Sequence, residues 1–311
     1  MGPLDDITPD MWTGPTLADA LPAATTALGY GEGQRLAIGR SHTVVLLLVD
    51  GLGDVLLHEH SDAAPTLAAH RTGAMRAGFP STTATSLTSL GTGLCSGEHG
   101  VLGYSLAPRD LDPGHTLYTL GWSLDSARGV DGSGLFPPTG VQPMPSMFDE
   151  MTRAGVDVIC VGPGVYRNTP LTRVVYGSPV DHRAAARPDE VLAEIQQILA
   201  EGDRGPRLVY GYIPQLDAAG HGHGPGSPQW RTVLRTVDNL VHSLCEALPP
   251  GATLLVTGDH GMLHAGHRHD LDATPALTAG VQMIAGEARV RHLFTAPDAA
   301  ADVLARWRAE L

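Results

Sequence analysis

Residues 41–53 read SHTVVLLLVDGLG. The unbroken apolar run from Val44 to Val49 is too apolar for a strand with one wet face and too short for a membrane span. It predicts a buried parallel strand, with Asp50 at its carboxyl end and Gly51 free to turn the chain away. Ligands of open α/β sheets bind along that edge, which makes Asp50 a candidate ligand-binding carboxylate. An Asp-Gly pair is also ordinary turn chemistry, so the choice between these readings rests on how later strands end.

Composition narrows the partners. The 311 residues suffice for one α/β domain with insertions, or for two. Charged residues make up 17% and hydrophobic ones 42%, a globular balance. A formal charge of −13 argues against nucleic acid polymers and anionic membrane surfaces as partners. Lysine is absent, so phosphate handling would need local arginine or bound metal. Cys95, Cys160 and Cys245 lack CxxC spacing and signal neither a disulfide framework nor a thiolate zinc site. The opening MGPLDDITPDMW has no basic n-region and no apolar h-region, and the expectation is a cytoplasmic protein without a leader.

Outward from the first strand, periodicity and turn residues predict helices over 17–28, 146–154, 188–200, 230–248 and 299–311. Strands are expected over 156–161, 208–213 and 253–257. This alternation predicts an α/β fold: a doubly wound, largely parallel central sheet with helices on both faces. In FPSTTATSLTSLGTG (79–93), Ala84, Leu87 and Leu90 fall three apart, which suits a helix despite the hydroxyls. Residues 100–143, rich in Gly, Pro, Tyr and Trp without periodicity, predict an irregular insertion or small cap. The expected organisation is one catalytic domain over 1–311.

Three strands lead to metal-type ligands. The first leads to Asp50; 208–213 leads to Asp217 and His221; 253–257 leads to Asp259 and His260. Carboxylate oxygen and imidazole nitrogen suit zinc and also manganese. Asp217 and His221, four apart, share a face if DAAG makes one helical turn; HGHGPG suits a loop better than a long helix. Asp259 and His260 converge only in an irregular loop, which Gly258 and Gly261 permit. Singly, such pairs are more often solvated hydrogen bonds, and DxxxH arises by chance in a chain with 15 His. Recurrence at three strand ends points to one shared site.

Two metals about 4 Å apart would stabilise an in-line displacement at phosphorus. The Ser/Thr run supplies a hydroxyl nucleophile, which metal coordination or a helix N-terminus would activate. Capping and solvating a loop is the alternative for those hydroxyls.

Together, VDG, FPSTTATSLTSLGTG with EHG after it, DxxxHxxG and GDHGM resemble the alkaline phosphatase superfamily. Within it the nucleotide pyrophosphatase/phosphodiesterase branch is most similar, over about residues 43–295 in motif order. The resemblance implies an alkaline phosphatase-like fold and a nucleophile nine residues before Thr92, namely Thr83, with Thr82 as rival because Phe79-Pro80 precedes rather than follows it. It implies two zinc ions, with manganese or magnesium as alternatives, and a covalent phosphothreonine. One metal would be held by Asp50, Thr83, Asp259 and His260, the other by Asp217, His221 and a further histidine. That histidine has no clear match. His267 or His269 in HRHD is the best substitute, unless the chain is shorter than its relatives and the ligand lies beyond Leu311.

The activity implied is hydrolysis of a phosphodiester or phosphoric anhydride in a small phosphorylated substrate, with nucleotides among the candidates. Arg167, Asn168 and Arg173, after 156–161, are candidates to face the phosphate, although a surface position binding solvent is the commoner reading for each arginine. A phosphomonoesterase, a phosphomutase of the same superfamily and a non-catalytic metal-binding pseudo-enzyme are the alternatives. A sulfatase lacks its CxPSR run and a serine hydrolase its GxSxG. Oligomeric state is not legible.

Overall fold

In the computed structural model, which describes residues 14–31, 35–110, 114–125, 129–178, 180–202 and 204–311, the apolar run forms β1 (Thr43–Val49), buried at every position. The opening stretch read above as leaderless falls outside the described residues. Short strands β2 (Ser105–Leu106), β3 (Leu117–Tyr118) and β4 (Ser123–Leu124) follow. Then come β5 (Asp157–Gly162), β6 (Asp181–Ala184), β7 (Arg207–Ile213) and β8 (Ala252–Thr257). The last strands are β9 (Val281–Gly286) and β10 (Arg291–Thr295).

The central sheet runs β6-β5-β7-β1-β8 with every neighbouring pair parallel. Parallel pairing of strands close in sequence needs crossovers, and the helices supply them. The principal ones are α1 (Ala20–Ala27), α2 (Thr83–Thr92), α3 (Met147–Arg153), α4 (Pro170–Tyr176), α5 (Pro188–Ala200), α6 (Gln215–His223), α7 (Pro228–Ala247) and α8 (Ala300–Glu310). Side chains of β1 alternate between two cores. Val44, Leu46 and Leu48 pack with α1, α2, α3 and α4, while Val45, Leu47 and Val49 pack with α5 and α7. A strand covered on both faces by helices has no polar side to show, which is why its sequence does not alternate. No helix among the described residues is long and apolar enough to cross a membrane.

A second sheet is antiparallel, in the order β10-β9-β2-β3-β4. Residues 100–143 therefore join, through Ser105 opposite Gly286, a hairpin from near the other end of the chain. Two-residue strands carry no readable period, and the pairing is long-range, so this sheet was not expected. The polar edge strand β6 (DHRA) escaped for the same lack of pattern.

The Ser/Thr run is helix α2, capped by Gly93 at φ 69°. Its hydroxyls are accommodated by bonding back along the helix: Thr88 Oγ1 donates to Ala84 O and Thr92 Oγ1 to Thr88 O, each at 2.7 Å. Buried Trp230, Leu234, Val237, Val241 and Leu244 line one face of α7, and each such side chain contributes roughly 1.5–3 kcal/mol of burial.

Candidate active site

Because β7, β1 and β8 are adjacent and parallel, their carboxyl ends open on one edge. Val49 pairs with Ile213 and Leu48 with Thr257, which sets Asp50 beside the loops that follow β7 and β8. Gly51, at φ 77°, makes the turn; a Cβ there would stand 3.1 Å from Asp217 Cα. Its N–H donates to Asp259 Oδ1 at 3.0 Å. The loop after β1 is thus wedged between the other two.

Asp50 and Asp259 are buried, 4% and 1% exposed. Asp50 Oδ2 accepts from the Tyr212 hydroxyl, and Asp259 Oδ1 also accepts from the His260 N–H at 2.9 Å. The remaining oxygens, Asp50 Oδ1 and Asp259 Oδ2, have no hydrogen-bond partner, nor has Asp217 Oδ1. Buried polar atoms are almost always paired, so three such oxygens at one place require an explanation.

His260 Nδ1 lies 2.9 Å from Gly261 O, a contact that assigns the proton to Nδ1 and leaves a lone pair on Nε2. That Nε2 is 3.1 Å from Thr83 Oγ1, 3.5 Å from Asp50 Oδ1 and 3.4 Å from Asp259 Oδ2. Carboxylate oxygens and an imidazole lone pair so close repel one another unless a cation lies between them. Ligand atoms of Asp50, Asp217 and His260 fall within 4.8 Å of one another. The donor set of carboxylate, imidazole and hydroxyl fits a divalent cation of the zinc or manganese type. Electrostatics agrees: burial first, then the charges of Asp259 and Asp217, push the Asp50 carboxyl up to about 8. Burial raises Asp259 to about 6, against the pull of the Gly51 hydrogen bond.

Asp217 and His221 lie one turn apart on α6, with Nε2 to Oδ2 at 3.5 Å; the His221 ring is 67% exposed. The helix continues through His223 and breaks at Gly224, one turn later than the loop expected from HGHGPG. His267 and His269 are exposed and meet edge to face at 4.6 Å. Neither completes a ligand group with Asp217 and His221 among the described residues. They occupy the irregular segment after β8, where no helix or strand aims them.

Beside the carboxylates lies a cavity of about 420 Å³. Asp50, Thr83 and Asp217 are among its polar lining, and Leu87, Leu120, Val165, Tyr166 and Tyr212 are among its apolar and aromatic walls. The loop after β5 does face this cavity, through Val165, Tyr166 and Thr169, while Arg167, Asn168 and Arg173 are not among its lining. Arg167 donates to His182 O, and Asn168 and Arg173 are exposed. Tyr212 was not anticipated; a tyrosine near the carboxyl end of a strand otherwise read as core was the available sign. His99, from the EHG stretch, serves α2: its Nδ1 accepts from Val101 N at 3.1 Å and its Nε2 meets Ser89 Oγ at 2.9 Å.

The model of the family described as type I phosphodiesterase / nucleotide pyrophosphatase matches residues 44–311. Among curated proteins, phosphopentomutase of Aeromonas salmonicida (strain A449) is 27% identical over 174 residues, which is 52% of this chain. The match spans 41% of that relative's length. Murine ectonucleotide pyrophosphatase/phosphodiesterase 5, solved as an inactive variant in complex with AMP, superposes with a TM-score of 0.61 at 18% identity, covering 86% of this chain and 70% of that one. Phosphonoacetate hydrolase from Sinorhizobium meliloti 1021, in complex with phosphonoformate, superposes at 0.50 with 19% identity, over 73% of this chain and 57% of that one. At these identities the two structures share the fold.

Proposed function

Because the chain belongs to the type I phosphodiesterase/nucleotide pyrophosphatase family, we propose that it is a metal-dependent hydrolase of phosphodiester or phosphoric anhydride bonds with Thr83 as nucleophile. The observation that carries this reading is the meeting of Thr83 Oγ1 with His260 Nε2 beside unpaired oxygens of Asp50, Asp217 and Asp259.

Asp50, Asp259, His260 and Thr83 would hold one divalent cation, and Asp217 with His221 would contribute to a second. Such cations supply charge neutralisation at the phosphoryl oxygens and acidify the hydroxyl. Thr83 opens α2, so the positive end of the helix dipole also favours its alkoxide. In the first displacement the Oγ1–P bond forms as the P–O bond to the leaving group breaks, giving a phosphothreonine. Water then attacks phosphorus, the Oγ1–P bond breaks, and Thr83 is restored. The aromatic cavity would take the organic part of a small phosphorylated substrate, a nucleotide included. We read residues 1–311 as one catalytic domain, cap included.

The test is metal content together with turnover of bis(p-nitrophenyl) phosphate, after loading with zinc or manganese. Turnover that rises with bound metal supports the hydrolase. Full occupancy without turnover of a diester, an anhydride or a monoester would leave a metal-binding pseudo-enzyme, a reading favoured by the absence of a further ligand beside Asp217 and His221 among the described residues.

A further inference from the structure

Three carboxylates and a net charge of −13 make the site hostile to an anionic substrate, and the chain has no lysine to offset them. A cation does reach the nucleophile's helix from an unexpected place, the tight turn between β9 and β10. Glu287 N donates to Val290 O at 2.8 Å and Val290 N to Glu287 O at 3.2 Å, which closes that turn. Glu287 is buried, and its carboxylate accepts from Arg289 Nε at 3.1 Å and Nη2 at 3.3 Å. Arg289 Nη2 also donates to Ser81 O at 3.0 Å, two residues before Thr83. The guanidinium is half exposed, and its Nη1 makes no hydrogen bond to the described residues.

Tyr104 ties this turn to the site. It precedes β2, whose Ser105 pairs with Gly286, the residue before Glu287. Its phenol is half-buried, and Thr82, Glu287, Asp217 and Arg289 all act on it. The phenol is therefore within electrostatic reach of both Arg289 and Asp217.

We infer that Arg289, braced by Glu287 and flanked by Tyr104, forms an anion subsite beside Thr83 that favours substrates with a further ionised phosphoryl oxygen over simple diesters. The terminal phosphate of a monoester and the neighbouring phosphoryl group of an anhydride both carry that chemistry. The inference rests on the reading of Thr83 as a phosphoryl-transfer centre. The pair with Glu287 is neutral overall, so the subsite acts through a short-range, charge-assisted hydrogen bond rather than a field that steers anions from afar. The brace holds the guanidinium at the Ser81 carbonyl, two residues before Thr83, and a flexible arginine would lose that placement.

Metal-loaded wild-type and Arg289→Gln proteins are compared on p-nitrophenyl phosphate, ATP and bis(p-nitrophenyl) phosphate, and inorganic phosphate binding is measured by calorimetry. The expected result is a fall of about 10- to 100-fold in kcat/KM for the monoester or for ATP relative to the diester, the scale of one hydrogen bond to a charged group. Whichever ratio falls identifies the source of the extra charge. Arg289→Lys, which keeps the charge without the fork, should recover part of it. Ratios that stay constant while all rates drop together, or that do not move, would mean that Arg289 only staples the hairpin to Ser81, and the subsite is lost. If the wild-type protein hydrolyses none of the three, the hydrolase reading fails by itself. Phosphate calorimetry then decides the subsite, and an affinity unchanged by Arg289→Gln overturns it.

Discussion

Thr83 Oγ1 lies 3.1 Å from His260 Nε2, across 177 positions of sequence. Its neighbour Thr82 has its hydroxyl buried on the side of the Tyr104 phenol rather than at His260. The two threonines are thus separable by experiment. Thr83→Ala should cut turnover by roughly three orders of magnitude or more, the scale seen when a nucleophile is removed, while metal content stays largely intact. Thr82→Ala should keep most of the rate. The reverse pattern would place the nucleophile one residue earlier and remove the role argued for Thr83.

Metal and protons should compete at the same oxygens. In the folded, metal-free protein the Asp50 carboxyl is pushed up to about 8, against 3.8 for an unperturbed Asp. Between those values the native state holds more protons than the unfolded one, so stability should fall as pH rises across that window. Asp259, raised to about 6, adds to the fall in the lower part of the same window. The thermal midpoint of metal-free protein should therefore drop from pH 5 to pH 8, and saturating zinc or manganese should abolish or reverse the drop. Asp50→Asn should raise the metal-free midpoint at pH 8 by roughly 3–10 °C, the shift expected for about 1–3 kcal/mol, and should remove the response to metal. A midpoint of the metal-free protein that is flat or rising over this range would count against the crowded-carboxylate site.

What was legible in the sequence follows from how each signal arises. The apolar run ending in Asp50 is a local pattern, and so are the two later strands ending in Asp217 and Asp259. Their convergence follows once β7, β1 and β8 are neighbours, and the sheet edge on which they meet was readable in advance. The second sheet was not, because Ser105 and Gly286 are joined by a pairing to which two-residue strands give no local clue. Arg289 was missed for that reason: its place beside Ser81 depends on a hairpin that nothing nearby in sequence announces. Arg167 was open to either reading, a surface position being the commoner one for such a residue. It sits in a loop that does line the cavity, yet its guanidinium turns away to His182 O.

His99 makes the fold sensitive to acid independently of any metal. Burial holds its imidazole down at about 4, against 6.5 when unperturbed. The neutral ring accepts from Val101 N, and Nε2 is left to donate to Ser89 on α2. Below pH 6.5 the unfolded chain takes a proton that the native state resists until about pH 4, so stability should decline through that window. The loss should total on the order of 3 kcal/mol. It is measured as the difference between wild-type and His99→Gln urea midpoints at pH 7 and pH 4.5, because the opposing contributions of Asp50 and Asp259 are common to both proteins. His99→Gln should be less stable at pH 7 but should flatten this acid limb, and an unaltered slope would show that other groups set it.

The loops carrying the proposed ligands pack glycine against glycine, and that contact can be tested without touching any of them. A Cβ on Gly53 would stand 2.6 Å from Gly261 Cα, far inside contact distance and against backbone. Gly53 has φ −80° and ψ 142°, angles that alanine adopts freely, so substitution brings crowding without backbone strain. Gly53→Ala should therefore push the loop after β1 away from the loop holding Asp259 and His260. Overpacking of this kind costs about 1–3 kcal/mol, and a displacement near 1 Å at reacting groups can lower rate about a hundredfold. Metal affinity by calorimetry should weaken together with the thermal midpoint. Gly97→Ala, whose Cβ would meet nothing within 4 Å, is the control and should change neither. Should Gly53→Ala bind metal as tightly as the wild-type protein, the two loops would not be setting the ligand geometry through this contact.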